Sequence, residues 1–402
     1  MGSKGLLRQA GRLVGELGFE MRSLRANYPA FVTRNVDRLP AGELPVFTFH
    51  SIEPEPFEAQ LQHLQRNGYR TIDGPALCRH LRGEQSAAEG SVMLTIDDGR
   101  KSVWTYGLPL LRRYGFTATV FVIPGYVPAG DALSPNLDDV WAGRLPASAL
   151  SLRDPELMNW GELRALQQSG VIDCQSHTYF HHRVPAAPAL TGFVAPTTRD
   201  AYFDVPVPAG EEWRLAAAGV PGGFGMPLFT ATPLMLAQPR YHPAPGVVDA
   251  CVALVRESGG ERFFAAPDAL ERLRQAYEAA VGTHGPGRLE APGEALAAIE
   301  DDLARSRAVI EAELGGKPCT QLCFPYTEGS EAALERAAAV GYEAAYWGIL
   351  PGRTGNRPGD DPLRVVRLKN DYIHRLPGAG RRPLARIILD KVQRRAAGRP
   401  VY

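Results

Sequence analysis

The sequence predicts an α/β protein built on a parallel sheet or barrel. Three observations carry this. Short apolar runs alternate with helix-like stretches, the runs at 91–96 and 117–123 are apolar almost throughout, and carboxylates or histidines directly follow several of the runs. The first run, 45–49, ends at His50. Phe57, Leu61 and Leu64 then recur at helical spacing, and Gly68-Tyr69-Arg70-Thr71-Ile72 reads as a turn into a strand. Val92, Met93, Leu94 and Ile96 nearly fill the next strand, which runs into Asp97-Asp98-Gly99. A helix over 108–114 and the strand at 117–123 follow. The helix at 160–168 stops at Gly170, and the short strand 171–175 delivers Ser176-His177. Leu303, Val309, Ile310 and Leu314 mark a helix over 301–314, ended by Gly315-Gly316. A strand at 321–324, a helix at 332–340 and a strand at 342–347 complete the alternation.

Residues 183–290 break this rhythm. They are rich in Pro and Gly up to position 246, helical-looking after 249, and too many for an ordinary loop, which predicts an inserted subdomain or lid. The chain therefore divides into a helical N-terminal extension (1–44), a sheet domain in two parts (45–182 and 291–375) split by the insertion, and a basic C-terminal helix (376–402).

Composition narrows the function. With 44 Lys+Arg against 44 Asp+Glu the chain is neutral, without the broad basic footprint of a nucleic-acid binder. Its 45% apolar content supports a sizeable core. Five scattered cysteines (78, 174, 251, 319, 323) make no disulfide framework and point to a reducing compartment. Arg8, Arg12, Glu16 and Glu20 interrupt the N-terminal apolar residues, so neither a signal peptide nor a spanning helix is predicted, and the expected location is cytoplasmic. Both ends read as amphipathic helices. Residues 381–399 carry seven Lys/Arg against Asp390 alone. Such a helix either lies on an anionic membrane surface, giving peripheral membrane contact, or docks on the domain with its basic face solvated.

Three of the nine histidines fall within six positions: His177, His181 and His182. The spacing His177-x-x-x-His181 places two imidazoles on one side of a helical turn or compact loop, where one divalent metal could take both; it is also an ordinary surface spacing. Asp97-Asp98 follows an apolar strand, which puts both carboxylates at a strand's C-terminal end, the usual active-site edge of parallel α/β folds. One carboxylate could bind a metal while its neighbour stays ionised beside it. Asp plus two His with open positions makes a hydrolytic metal site.

Taken together, these residues resemble the polysaccharide deacetylases of carbohydrate esterase family 4, the NodB-homology group. Thr95-Ile96-Asp97-Asp98 matches the family's T-F-D-D motif, and His177-Thr178-Tyr179-Phe180-His181 its H-[ST]-x-x-H motif. Pro325-Tyr326 matches its P-Y motif, and Val46 to Ile52 resembles the Y-H-S opening of circularly permuted members. The resemblance covers roughly 45–125, 155–182 and 300–370. It implies a distorted (β/α) barrel of about seven strands, here with a large insertion. It also implies that Asp98, His177 and His181 hold the metal, most often zinc, with nickel, cobalt or manganese serving in relatives. Asp97 would be the general base, the backbone N–H of Tyr326 would stabilise the oxyanion, Pro325 and Tyr326 would shape the substrate site, and His50 would be the general acid.

Several positions depart from the pattern. His182 stands where the family often has Pro, as a rival ligand or a loop residue. The arginine usual before P-Y is missing, with Leu322-Cys323-Phe324 in its place; Arg364 or Arg367 could supply that charge, and Arg367 is also read as a substrate contact. Thr327-Glu328 replaces the usual Gly. His374 rivals His50 as acid, but lacks the apolar strand and following Asp of that motif. Cys319 and Cys323 read as buried thiols rather than half a metal site. Trp213, within the insertion, is the tryptophan expected to stack on a sugar.

The expected activity is metal-dependent removal of an N-acetyl group from an amino-sugar-containing glycan, glycolipid or biosynthetic intermediate, releasing acetate. The insertion favours a closed pocket over an open groove. The rivals are a same-fold hydrolase of another non-peptide C–N bond (small amide, imide or formamide) and a non-catalytic carbohydrate-binding protein.

Overall fold

The computed structural model describes residues 24, 28–150, 156–198, 223–291 and 293–396. The apolar runs become strands β1 (Val46–Phe49), β2 (Arg70–Thr71), β3 (Ser91–Ile96), β4 (Ala118–Val122), β5 (Ile172–Ser176), β10 (Gln321–Cys323), β11 (Ala344–Tyr346) and β12 (Leu368–Lys369). The insertion contributes β6 (Arg183–Phe193), β7 (Pro227–Pro233), β8 (Tyr241–His242) and β9 (Arg288–Leu289). The principal helices are α1 (Pro54–Arg66), α2 (Gly74–Leu81), α3 (Leu108–Tyr114), α4 (Trp160–Gln168), α5 (Pro245–Glu257), α6 (Ala269–His284), α7 (Glu294–Glu313), α8 (Glu331–Val340) and α9 (Leu384–Ala396).

The main sheet runs β11-β10-β5-β4-β3-β1-β12, every pairing parallel, with β2 beside the start of β3. Strands β3 and β4 are buried at every position, as their unbroken apolar sequence requires of a sheet covered on both faces. Just before β12, Val365 bridges to Tyr346 of β11, while β12 itself pairs with β1. Residues 365–369 thus join the two edges of the curved sheet, which makes the expected seven-strand distorted barrel. Asn356, fully buried, ties this closure to β1's approach by donating to the carbonyls of Leu44 (3.2 Å) and Val366 (2.8 Å). The short β12 carries no local signal in the sequence, because its partner β1 lies more than 300 residues away.

The inserted segment is a unit with its own packing. Strands β6 and β7 form a long antiparallel hairpin with register shifts, and β8 pairs antiparallel with β9. Phe193, Cys251, Val255, Phe263 and Leu273 make a core of their own. A second cluster, with Ile123, Tyr126 and Leu157 from the barrel and Val194, Met226 and Val248 from the insertion, joins the two. The helices expected after 249 are α5 and α6. Trp213 and the amphipathic stretch near the N-terminus lie outside the described residues.

Helix α9 docks on the domain: Ile387 and Lys391 are buried, and Lys391 Nζ lies 3.6 Å from Asp371 and 4.3 Å from the centre of the Tyr372 ring. Its outward face carries Arg386, paired with Asp390, and the exposed Leu389. Among the described residues no helix is long and apolar enough to cross a membrane.

Candidate active site

All strands of the main sheet point the same way, so the segments that follow them share one rim. His50 follows β1, Asp97-Asp98 follow β3, His177 follows β5 and Pro325-Tyr326 follow β10. The rim is conformationally strained. Of the six non-glycine residues with positive φ among the described residues, five are here: Asp98 (73°), Thr178 (65°), His181 (51°), Tyr326 (58°) and Thr327 (60°). Such backbone persists only where surroundings over-determine it.

The histidines lie on a compact loop rather than a helical turn, and its fastenings are explicit. The Tyr179 N–H donates to Asp302 Oδ1 at 2.8 Å, the His181 N–H to Thr178 Oγ1 at 3.0 Å, and the Gly125 N–H to the Tyr179 carbonyl at 2.9 Å. Gly125 must be glycine, because a Cβ there would stand 2.6 Å from that carbonyl oxygen. The Tyr326 hydroxyl donates to the His181 carbonyl at 3.1 Å. Burial pushes the Asp302 carboxyl up to about 7.

This scaffold brings Asp98, His177 and His181 together, all buried, with one ligand-type atom from each lying within 4.8 Å of the others. His177 Nε2 is 3.7 Å from Asp98 Oδ1. His177 Nδ1 is 2.9 Å from the Cys323 carbonyl, a partner that can only accept, so Nδ1 carries the proton and Nε2 is left as the ligating lone pair. His181 Nδ1 is buried without a hydrogen-bond partner, and burial, reinforced by His177, holds its pKa down to about 3, so the ring is neutral as ligation requires. The donor set fits a divalent ion. A second grouping, Asp97, His177 and Cys323, suits one less, because burial keeps the Cys323 thiol well above its ordinary pKa and Arg367 engages both Asp97 oxygens.

The two adjacent carboxylates have different partners. Asp98 Oδ2 accepts from Arg100 Nε (2.9 Å) and Nη2 (2.8 Å), leaving Oδ1 toward His177. Asp97 accepts from Arg367 Nη1 (2.6 Å) and Nη2 (2.9 Å) and from Thr48 (3.3 Å). Burial raises the Asp97 pKa, but Arg367, with His177 and His50, brings it down to about 2. Asp98 is likewise pulled down against its burial, chiefly by Arg100. His50 Nε2 lies 3.8 Å from Asp97 Oδ2, and burial lowers its pKa against the pull of both aspartates.

Several sequence expectations change. Arg367 is 2% exposed and spent on Asp97, so it supports the carboxylate instead of touching substrate. Arg364 turns outward to Glu331 and Asp361. Pro325 is buried and forms the turn rather than a substrate surface. His374 packs against His63, not the carboxylates. His182 belongs to no metal-type group among the described residues; its ring is neutral, burial lowering its pKa to about 4. All five cysteines are free and buried. Sequence reading missed Arg100, directly after Asp-Asp-Gly, and Asp302. Asp302 sits on the buried stripe of α7 with Ile299, Ser306 and Ile310, and a carboxylate on an apolar stripe was the available signal.

Part of the chain is similar to known proteins. Residues 84–195 match the family model for polysaccharide deacetylases. Over this segment the chain resembles polysaccharide deacetylases. It is 32% identical over 89 residues to Bacillus subtilis (strain 168) YxkH. It is 26% identical over 156 residues to the poly-beta-1,6-N-acetyl-D-glucosamine N-deacetylase of Escherichia coli (strain K12). These matches take in 20% and 39% of this chain but only 32% and 22% of the relatives' own lengths. Among solved structures, a de-N-acetylase from Aggregatibacter actinomycetemcomitans aligns over 81% of this chain and 94% of its own, with 18% identity and a TM-score of 0.49. The BpsB deacetylase domain from Bordetella bronchiseptica aligns over 82% and 96%, with 17% identity and a TM-score of 0.48.

Proposed function

We propose that this chain is a metal-dependent hydrolase that removes an N-acetyl group from an amino-sugar-containing substrate, releasing acetate and a free amine. One observation carries the reading: an ionised carboxylate, Asp97, is held by Arg367 directly beside the three-donor group Asp98, His177 and His181. Those three residues would hold a divalent ion, with zinc the best match to a two-His, one-carboxylate set. Such an ion polarises the amide carbonyl and lowers the pKa of water toward 7.

The remaining steps belong to the chain. Asp97, anionic at neutral pH, accepts a proton from the attacking water. The backbone N–H of Tyr326 is assigned to the oxyanion. His50, neutral in the resting site, takes the proton that Asp97 collected and delivers it to nitrogen as the C–N bond breaks. Peripheral membrane contact would use the outward Arg386 and the exposed Leu389 of α9.

The test is product release by the zinc-loaded chain from N-acetylglucosamine oligomers, a cyclic imide and a formamide. Acetate from the sugars alone is expected. Turnover of only the imide or the formamide would transfer the reading to another C–N bond, and no turnover of any amide would defeat it.

A further inference from the structure

A cavity of about 600 Å³ lies within the insertion, beginning one residue beyond the histidine loop. This is the size range of sites that enclose a small ligand. Val184, Met226, Phe229 and Val248 are among its apolar walls. Its polar lining holds three arginines, Arg183, Arg240 and Arg288, with His182 and His242, and no acidic side chain among the described residues that line it.

These groups are not equivalent. Arg240 and His242 both close on Glu290, at 2.6 and 2.9 Å, and Arg288 forms a two-bond pair with Glu294 at 2.8 and 2.9 Å. Arg183 meets no carboxylate among the described residues. Its guanidinium carbon lies over the Tyr326 ring, 4.3 Å from the centroid, and the guanidinium N–H groups make no hydrogen bond among the described residues. Arg183 therefore touches both the P-Y turn of the metal site and the apolar cavity.

A further length of sugar polymer fits this lining poorly, since a saccharide's hydroxyls need partners that apolar walls do not offer. An alkyl or prenyl chain fits the walls, and a phosphate beside it matches the Arg183 guanidinium, which meets no carboxylate among the described residues. We propose that the cavity takes the lipid-phosphate portion of an amphiphile whose N-acetylated sugar lies at Asp98, His177 and His181. The substrate class is thus a lipid-linked amino sugar. This inference rests on the deacetylase reading, and its binding test is independent of turnover.

The full chain is titrated with dodecyl phosphate below its micelle-forming concentration, with dodecanol and with inorganic phosphate. Dodecyl phosphate is expected to bind at one site, at least about tenfold tighter than either fragment, as a charge-assisted bond plus chain burial implies. Arg183→Gln, which removes the charge, and Val248→Trp, which fills the wall, are each expected to weaken it about tenfold. Acetate release from dodecyl N-acetylglucosaminyl phosphate is expected to exceed that from soluble oligomers in kcat/KM, with the advantage lost in both variants. The proposal is overturned if dodecyl phosphate does not bind, if inorganic phosphate binds as tightly, if neither substitution matters, or if oligomers are the better substrates. Binding that responds to both substitutions, with no acetate from any sugar, would uphold the lipid-phosphate site and defeat the deacetylase reading instead.

Discussion

At the barrel rim, Asp97, Asp98, Arg100 and Arg367 are all nearly inaccessible and satisfy one another in pairs, on a backbone that repeatedly enters the left-handed region. The insertion has the reverse construction. Its two clusters are apolar, and of its main ion pairs Arg288–Glu294 lies at the surface while Arg240 and His242 meet over a single buried glutamate. Buried charges are costly unless fully paired, whereas apolar clusters tolerate substitution of similar volume. On the proposed reading, the rim carries the chemistry and the insertion chooses what is admitted.

The sharpest way to break that division is to remove rim residues and ask whether metal and turnover separate. His181→Ala is expected to lose stoichiometric metal and about 1,000-fold or more in acetate release, beyond the roughly 10–100-fold typical of outer-shell changes. Asp97→Asn should keep metal, by elemental analysis, while turnover falls about 100- to 10,000-fold. Metal lost from Asp97→Asn but kept in Asp98→Asn would exchange the roles of the two carboxylates.

Next in size is Arg367→Met, which strands a buried carboxylate and should cost about 3–5 kcal/mol in denaturant unfolding. Asp97 falls from its ordinary 3.8 to about 2 in the fold, so the pair's stabilisation is present above about pH 4 and lost between about 4 and 2. The variant should lack that acid transition. A matching loss in a core variant of the insertion such as Leu273→Ala, without any change in acid behaviour, would sharpen the contrast.

Asp302 has the opposite sign. Its carboxyl rises from 3.8 to about 7, so its contribution is complete below about pH 4 and lost by about pH 7. Asp302→Asn keeps an acceptor for the Tyr179 N–H, and its melting temperature should stay flatter than the parent's between about pH 4 and 8. The smallest effect is expected at Thr327, a β-branched residue at φ 60°. Thr327→Gly should gain about 1 kcal/mol in unfolding free energy, and a loss would show that the turn's side-chain packing outweighs its strain.

The barrel was legible because its signals are local. Uninterrupted apolar runs gave β3 and β4, Gly115, Gly170 and Gly341 stop helices at their C-termini, and the motif residues stand directly behind strands. What stayed hidden depends on distant partners. Arg364 and Arg367 are indistinguishable in sequence, and only the closure at 365–369 turns one to Asp97 and the other to Glu331. Likewise β6 and β7 contain prolines and register shifts that blur the alternation by which a strand is read. Arg100 and Asp302 are ordinary residue types until the fold buries them.

The closure at 365–369 also bears on the order of assembly. Asp97 leaves the ribosome about 270 residues before the arginine that neutralises it, and the same short segment both completes the sheet and supplies that arginine. Until then a nascent barrel carries an open edge and an uncompensated carboxylate, so the rim becomes competent in one late event. A chain halted before residue 365 should therefore be a client for chaperones and proteases rather than a weak enzyme.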